Sequence, residues 1–125
     1  MPGGLTHIIA GFSLSVIGIY YYKNYFNDED KYKKILFITF ICITFSILPD
    51  IFLITYYITN LFTFCTFIPY HDALHRILFV AAIIGLIFIH FSSKIKNKPI
   101  WTMGMFALIL HFIMDLILPD VNMWI

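Results

Sequence analysis

Two pairs of polar side chains in this chain are spaced one helical turn apart. His111 and Asp115 are four positions apart, and so are His71 and His75. Residues at this spacing lie on one side of a helix, so each pair can offer two ligands to a single ion while facing helices supply the rest. The full set of predicted metal ligands is His7, Asp50, His71, His75, His111 and Asp115.

A mixed set of nitrogen and oxygen donors suits Zn, Mn, Fe or Mg and does not select among them. A divalent cation would neutralise the carboxylates and orient the histidines. It could also lower the pKa of a bound water to about 7, which would make a hydroxide nucleophile available. The residues that we predict to carry such chemistry are Asp50, His75, His111 and Asp115.

Simpler interpretations exist for the individual residues. His7 alone could be an interhelical hydrogen-bonding residue, and His111 with Asp115 could be a plain imidazole–carboxylate pair. Asp72 could form a surface ion pair with Arg76 one turn further on. The occurrence of several such groups together favours a shared site more strongly than any single member does.

Small and polar residues form a stripe along each of four long apolar segments. In a membrane bundle such residues mark the packed side of a helix, because they let two backbones approach closely. The imidazoles and carboxylates on these stripes should therefore point inward. The four stripes are His7, Gly11, Ser15 and Gly18; Thr39, Cys42, Ser46 and Asp50; His71, His75, Ala82 and Gly85; and Gly104, Ala107, His111 and Asp115.

The composition is that of a membrane protein built as one domain, residues 1–125. Hydrophobic residues make up 61% of the chain and charged residues only 12%, and the charges concentrate in residues 23–34 and 92–99. Uncharged runs of about 18 residues or more indicate spanning helices. The lipid bilayer is thus the expected partner, and the near-neutral charge without a basic, aromatic-rich face argues against nucleic acid.

We predict an all-α bundle of four transmembrane helices, at about residues 5–22, 35–57, 75–92 and 100–118. Residues 51–69 are apolar enough for a fifth span, or for a re-entrant or interfacial segment. A fifth span would leave only about fifteen residues for the span before it, which is shorter than a bilayer requires. Pro49 could kink or end the second helix.

Lysines favour one orientation of these spans. The two Lys-rich loops should lie in the cytoplasm of a cell whose plasma membrane holds the protein, with both termini outside. The outer half of the bilayer then contains His7, Asp50, His71 and the pair formed by His111 and Asp115. His90 lies at the inner end of its span, off the polar stripe, where we interpret it as interfacial.

The sequence resembles the YdjM-type family of membrane-bound, metal-dependent hydrolases, some of which are LexA-regulated. The resemblance rests on the order of four short motifs, which are Thr6-His7, Leu48-Pro49-Asp50-Ile51, the His/Arg cluster at 71–76, and His111-x-x-x-Asp115. It implies that His7, Asp50, the His71/His75 pair, His111 and Asp115 are metal ligands. Phe52 stands where the family usually has a second acid, and the histidine spacing at 71–75 also differs.

The function that we expect is a membrane-embedded, metal-dependent hydrolase with its site open to the outer face. A phosphoester or lipid-like substrate fits this depth. One alternative is a haem-binding electron carrier with His7, His75 or His111 as axial ligands. A buried carboxylate beside a haem iron would have no evident role, which argues against it. Another alternative is a membrane protein without catalysis, in which the polar cluster is structural.

Overall fold

The computed structural model describes residues 4–59 and 64–118, and the helices account for most of them. Residues 1–3, 60–63 and 119–125 lie outside the described part of the chain. The helices are α1 (Gly4–Tyr21), α2 (Lys31–Ile47), α3 (Ile51–Thr59), α4 (Phe64–Phe91) and α5 (Lys98–Ile117), and a 3₁₀ turn, Leu48–Asp50, joins α2 to α3.

Four stretches of the described chain are long and apolar enough to cross a membrane: Gly4–Tyr21, Lys31–Thr55, Pro69–Phe91 and Lys98–Ile117. This finding confirms the predicted all-α, four-span architecture. The second span includes α2, the 3₁₀ turn and the first part of α3. Residues 51–55 therefore extend the second span, and residues 60–63 of the segment considered for a fifth span lie outside the described part of the chain.

The break at Pro49 places an acidic residue at the bundle core. Proline lacks the N–H that would continue an α-helix, and α2 ends at Ile47 just before it. The chain then tightens into the 3₁₀ turn, in which Pro49 and Asp50 are both buried. The predicted kink thus has a structural role, because it fixes the position of Asp50.

Glycines bring α1, α2 and α5 into close contact. A Cβ atom built on Gly11 would lie 2.8 Å from the backbone oxygen of Cys42, and one on Gly104 would lie 2.7 Å from the Cγ2 atom of Ile41. Larger residues would push these helices apart, as expected of small residues in membrane helix packing. The buried face of α1 is the stripe expected from the sequence, with Gly4 added to His7, Gly11, Ser15 and Gly18.

The bundle has an apolar core at one end and a polar cluster at the other. The apolar core includes Ile38, Cys42, Ile100 and Met103, and lies toward the Lys-rich loops. Large apolar side chains such as Ile9, Ile84 and Phe88 are exposed on the outer faces of the helices. Such a surface suits lipid, since soluble monomers rarely expose apolar patches of that extent.

Candidate metal centre

All six predicted ligands converge at the polar end of the bundle. His7 comes from the first turn of α1 and Asp50 from the 3₁₀ turn, while α4 supplies His71 and His75 and α5 supplies the other two. Five of the six are buried, with relative exposures between 0% and 8%. The side chain of Asp115 is 13% exposed, so it is the member closest to the surroundings.

Four of these side chains bring one atom each to a common centre. The Nε2 atoms of His75 and His111 are 3.0 Å apart, and they lie 3.0 and 3.2 Å from Oδ2 of Asp115. Oδ1 of Asp50 lies 3.6 Å from His75 Nε2 and 3.7 Å from His111 Nε2. This quartet, Asp50, His75, His111 and Asp115, could hold a metal ion.

Backbone carbonyl groups set the tautomer of both central histidines. His111 Nδ1–H donates to the carbonyl oxygen of Ser46 at 2.6 Å, and His75 Nδ1–H donates to the carbonyl oxygen of His71 at 3.0 Å. A carbonyl oxygen can only accept, so Nδ1 carries the proton in each ring. In the neutral form of each ring the Nε2 atom then carries the lone pair, which is the form that binds metals.

When both imidazoles are neutral and both carboxyl groups are ionised, the centre of the quartet collects four acceptors and no donor. Two imidazole lone pairs and two carboxylate oxygens then face one another in a largely buried site, and Asp50 Oδ1 has no hydrogen-bond partner among the described atoms. A single added proton could bridge only two of these atoms. A divalent cation would satisfy all four at once, so the donor chemistry fits a metal ion.

The spacing of the donors fits as well. Ligands bound about 2.0–2.1 Å from a tetrahedral ion lie about 3.4 Å from one another. The five separations given above range from 3.0 to 3.7 Å. Two nitrogens with two oxygens suit Zn, Mn or Fe better than Mg, which prefers oxygen ligands and retains water.

His7 faces the other oxygens of the two carboxylates. Its Nε2 atom lies 3.3 Å from Asp115 Oδ1 and 3.8 Å from Asp50 Oδ2, and neither of its ring nitrogens has a hydrogen-bond partner among the described residues. Its ring stacks on that of His111 with centroids 3.9 Å apart. Each carboxylate thus directs one oxygen toward the His75/His111 pair and the other toward His7.

His71 lies at the edge of the cluster. Its Nε2 atom is 3.9 Å from Asp50 Oδ1, which is longer than the five separations given above for the quartet. The clearest contact of His71 is through its backbone carbonyl, which orients His75. His71 and His75, which were predicted as equivalent ligands, therefore occupy different positions relative to the centre.

A small pocket of about 250 Å³ gives access to the centre from between α4 and α5. His75 and Asp115 line its inner wall. Arg76 also lines it, with no ion pair to Asp72 within 4 Å among the described side chains, so the surface pair considered from the sequence does not form. The complete lining is Asp72, His75, Arg76, Phe112, Asp115 and Leu116.

One functional group in this site has no signal in the sequence. The Ser46 carbonyl orients His111, but a backbone group acts this way whatever side chain the residue carries. Ser46 does lie on the predicted inward stripe and is 2% exposed. Comparisons of this chain with protein-family models, with curated proteins and with solved structures return no match.

Proposed function

We propose that this protein is a membrane-embedded, metal-dependent hydrolase. The observation that carries the proposal is the convergence of four acceptors, three of them on buried side chains and two of them imidazole Nε2 atoms whose tautomer is fixed by backbone carbonyls. The proposal includes the YdjM-type resemblance, whose motifs, far apart in the sequence, contain these donors. The Nε2 atoms of His75 and His111 lie 3.0 Å apart, which leaves no space for a haem macrocycle between these two nitrogens.

Asp50, His75, His111 and Asp115 would hold the ion, with His7 facing it across the carboxylates. If the ion accepts a water as a further ligand beside these four, as catalytic zinc ions can by expanding to five-coordinate, it would supply activation of that water near neutral pH and polarisation of a phosphoryl or carbonyl oxygen. Asp115 is the carboxylate that reaches the access pocket, so it would be the group placed to accept a proton from a water that enters there. Asp50 remains buried and balances charge.

The access pocket suggests the substrate class, a phosphoester of a lipid-like molecule. Arg76 offers a guanidinium that can bind a phosphate through two parallel hydrogen bonds. Phe112 and Leu116 form an apolar wall beside it, which suits an acyl chain. A substrate with an anionic group and an apolar tail would match both.

Hydrolysis of a phosphodiester by the purified, metal-loaded protein tests this proposal. We expect cleavage of a phosphatidyl lipid in mixed micelles, and Arg76→Gln should lower kcat/KM about tenfold or more because a charge-assisted contact to the phosphate is lost. The effect should fall on KM more than on metal content. Lys94→Gln removes a positive charge at the other end of the bundle and should change neither quantity.

Two results would contradict the hydrolase proposal. If the protein binds metal but cleaves neither the phosphatidyl lipid nor bis-p-nitrophenyl phosphate, the ion is structural. If Arg76→Gln and Lys94→Gln have equal effects on cleavage, the guanidinium does not bind the substrate.

We also propose that the protein lies in the plasma membrane with its metal centre toward the outer face. In a background without Cys42 and Cys65, Asn97→Cys should be protected from an impermeant thiol reagent in intact cells, because Lys-rich loops remain in the cytoplasm. Asn122→Cys, beyond the described helices, should be labelled. Permeabilised cells should label both, and the reverse pattern in intact cells would invert the orientation.

A further inference from the structure

A second recess lies near the Lys-rich end of the bundle, away from the metal centre. It is a groove of about 870 Å³ with α1 and α4 as its walls and α5 as its floor. Both walls pack against α5 but barely touch each other, so the groove faces the surrounding lipid. Its volume falls within the range of about 300–1,000 Å³ that is typical of small-molecule sites.

Polarity changes along the length of this groove. At the end near the loops its walls carry a lysine, two tyrosine hydroxyls, a threonine and an imidazole: Lys98, Tyr21, Tyr22, Thr102 and His90. Deeper in the bundle the lining is apolar, with Leu14, Leu86 and Phe106. Lys98 and Phe106 are eight positions apart on α5, or about 12 Å along the helix. The groove is therefore polar at the membrane surface and apolar inside.

The polar end of the groove is also electropositive. All seven lysines of the chain lie in residues 23–34 and 94–98, against three acids, Asp28, Glu29 and Asp30. Two of these acids pair with lysines of α2, Asp30 with Lys33 and Asp28 with Lys34. Lys98 has no ion pair within 4 Å among the described side chains, and no acidic residue lines the groove.

We propose that this groove binds one anionic phospholipid of the surrounding leaflet. Its phosphate would contact the Lys98 ammonium, and one acyl chain would cover Met103 and Phe106. Head and tail then lie at the depths that a lipid already occupies in a bilayer, so binding requires no reorientation. Basic pockets between transmembrane helices are sites of this kind. The proposal is independent of the metal centre and of hydrolysis.

Lipid-dependent stability of the full chain tests this site. The detergent-purified protein is titrated with phosphatidylglycerol or with phosphatidylcholine, and the rise in Tm is recorded. We expect phosphatidylglycerol to raise Tm more than phosphatidylcholine does. Lys98→Gln should weaken the apparent affinity for phosphatidylglycerol about fivefold, which is the effect expected of one lysine near an anionic surface. Lys33→Gln, which removes the same charge outside the groove, should not.

A second pair of variants tests the apolar part without changing charge. Ile87→Trp should fill the groove and reduce the phosphatidylglycerol response, whereas Ile84→Trp, equally exposed on α4 but outside the groove, should retain it. Equal responses to the two lipids, or equal losses in Lys98→Gln and Lys33→Gln, would overturn the proposal. So would a lipid-independent dimer that Ile87→Trp dissociates, because a second copy of the chain would then cover the groove.

Discussion

Replacing His111 by alanine should remove bound metal from the purified protein. The Nε2 atom of His111 lies within 3.0–3.7 Å of the three other donors of the quartet, and a truncated side chain leaves the cation one ligand short. Loss of a residue that only orients a ligand costs about 10–100-fold in metal affinity, so loss of a ligand itself should cost more. Metal per chain, measured by elemental analysis after gel filtration, should fall close to zero.

Two further variants make this result specific. Asp115→Asn keeps the shape of the side chain but replaces a carboxylate with an amide, so it should lose metal without a gross change in packing. His90→Ala truncates an imidazole that is exposed and lies at the other end of its helix, and it should keep the full metal content. Circular dichroism should report the same helix content in all three variants. Full metal occupancy in His111→Ala would mean that the His111 and Asp115 pair is structural.

The sequence predicts the architecture well because one physical requirement dominates it. Backbone groups in a bilayer must be hydrogen-bonded within the helix, so apolar runs of sufficient length become spanning helices. Small residues in those runs identify the packed face, and Gly11 and Gly104 lie where an added Cβ atom would clash with a neighbouring helix. The stripe of small residues and the length of each apolar run can both be read from the sequence.

The ends of the helices are harder to predict from hydropathy than the spans themselves. The second span was predicted to begin at residue 35, yet α2 begins at Lys31, and α4 begins at Phe64 rather than near residue 75. Hydropathy marks where the apolar residues are, whereas a helix continues as long as its backbone hydrogen bonds are satisfied. Lysine stems can lie along apolar surface while their charges reach water, so lysines do not end a helix.

The convergence of the site residues was predictable as a set but not in detail. Helical spacing and the order of the spans place six donors at one level of the bundle. Sequence alone could not separate His75, whose Nε2 atom faces the centre, from His71, which lies at its edge. That difference comes from the hydrogen bond between the His71 carbonyl and the ring of His75, and it depends on side-chain orientation.

The lipid-facing groove could not be predicted from the sequence. Whether α1 touches α4 depends on how both helices pack on α5, and no local pattern in either helix encodes that arrangement. The residues that line the groove, such as Ile17 and Ile87, look like ordinary lipid-facing positions in the sequence. Only the relative placement of three helices makes a cavity of them.

Removal of the metal should lower the stability of the native protein. It should not change the stability of a variant that lacks one of the metal ligands. Without a cation, the four acceptors of the quartet would face one another in a buried site, and unpaired polar groups there are costly. An ion that binds only the folded state stabilises it by about 2.7 kcal/mol when its free concentration is 100-fold above Kd. A chelator should therefore lower the Tm of the metal-loaded protein by several degrees, and added metal should restore it.

His111→Phe provides the matched comparison. Phenylalanine keeps an aromatic ring against His7, whose ring stacks on that of His111, but it removes the Nε2 acceptor. We expect the Tm of this variant to be the same with and without chelator, whereas the Tm of Asn97→Ser, altered at the opposite end, should respond as the native protein does. The contrary result would be a native protein whose Tm does not change with chelator although elemental analysis finds that the metal has left. It would mean that the four acceptors of the quartet do not destabilise the fold when no cation is bound. The need for a cation at this site, on which the hydrolase proposal depends, would then be refuted.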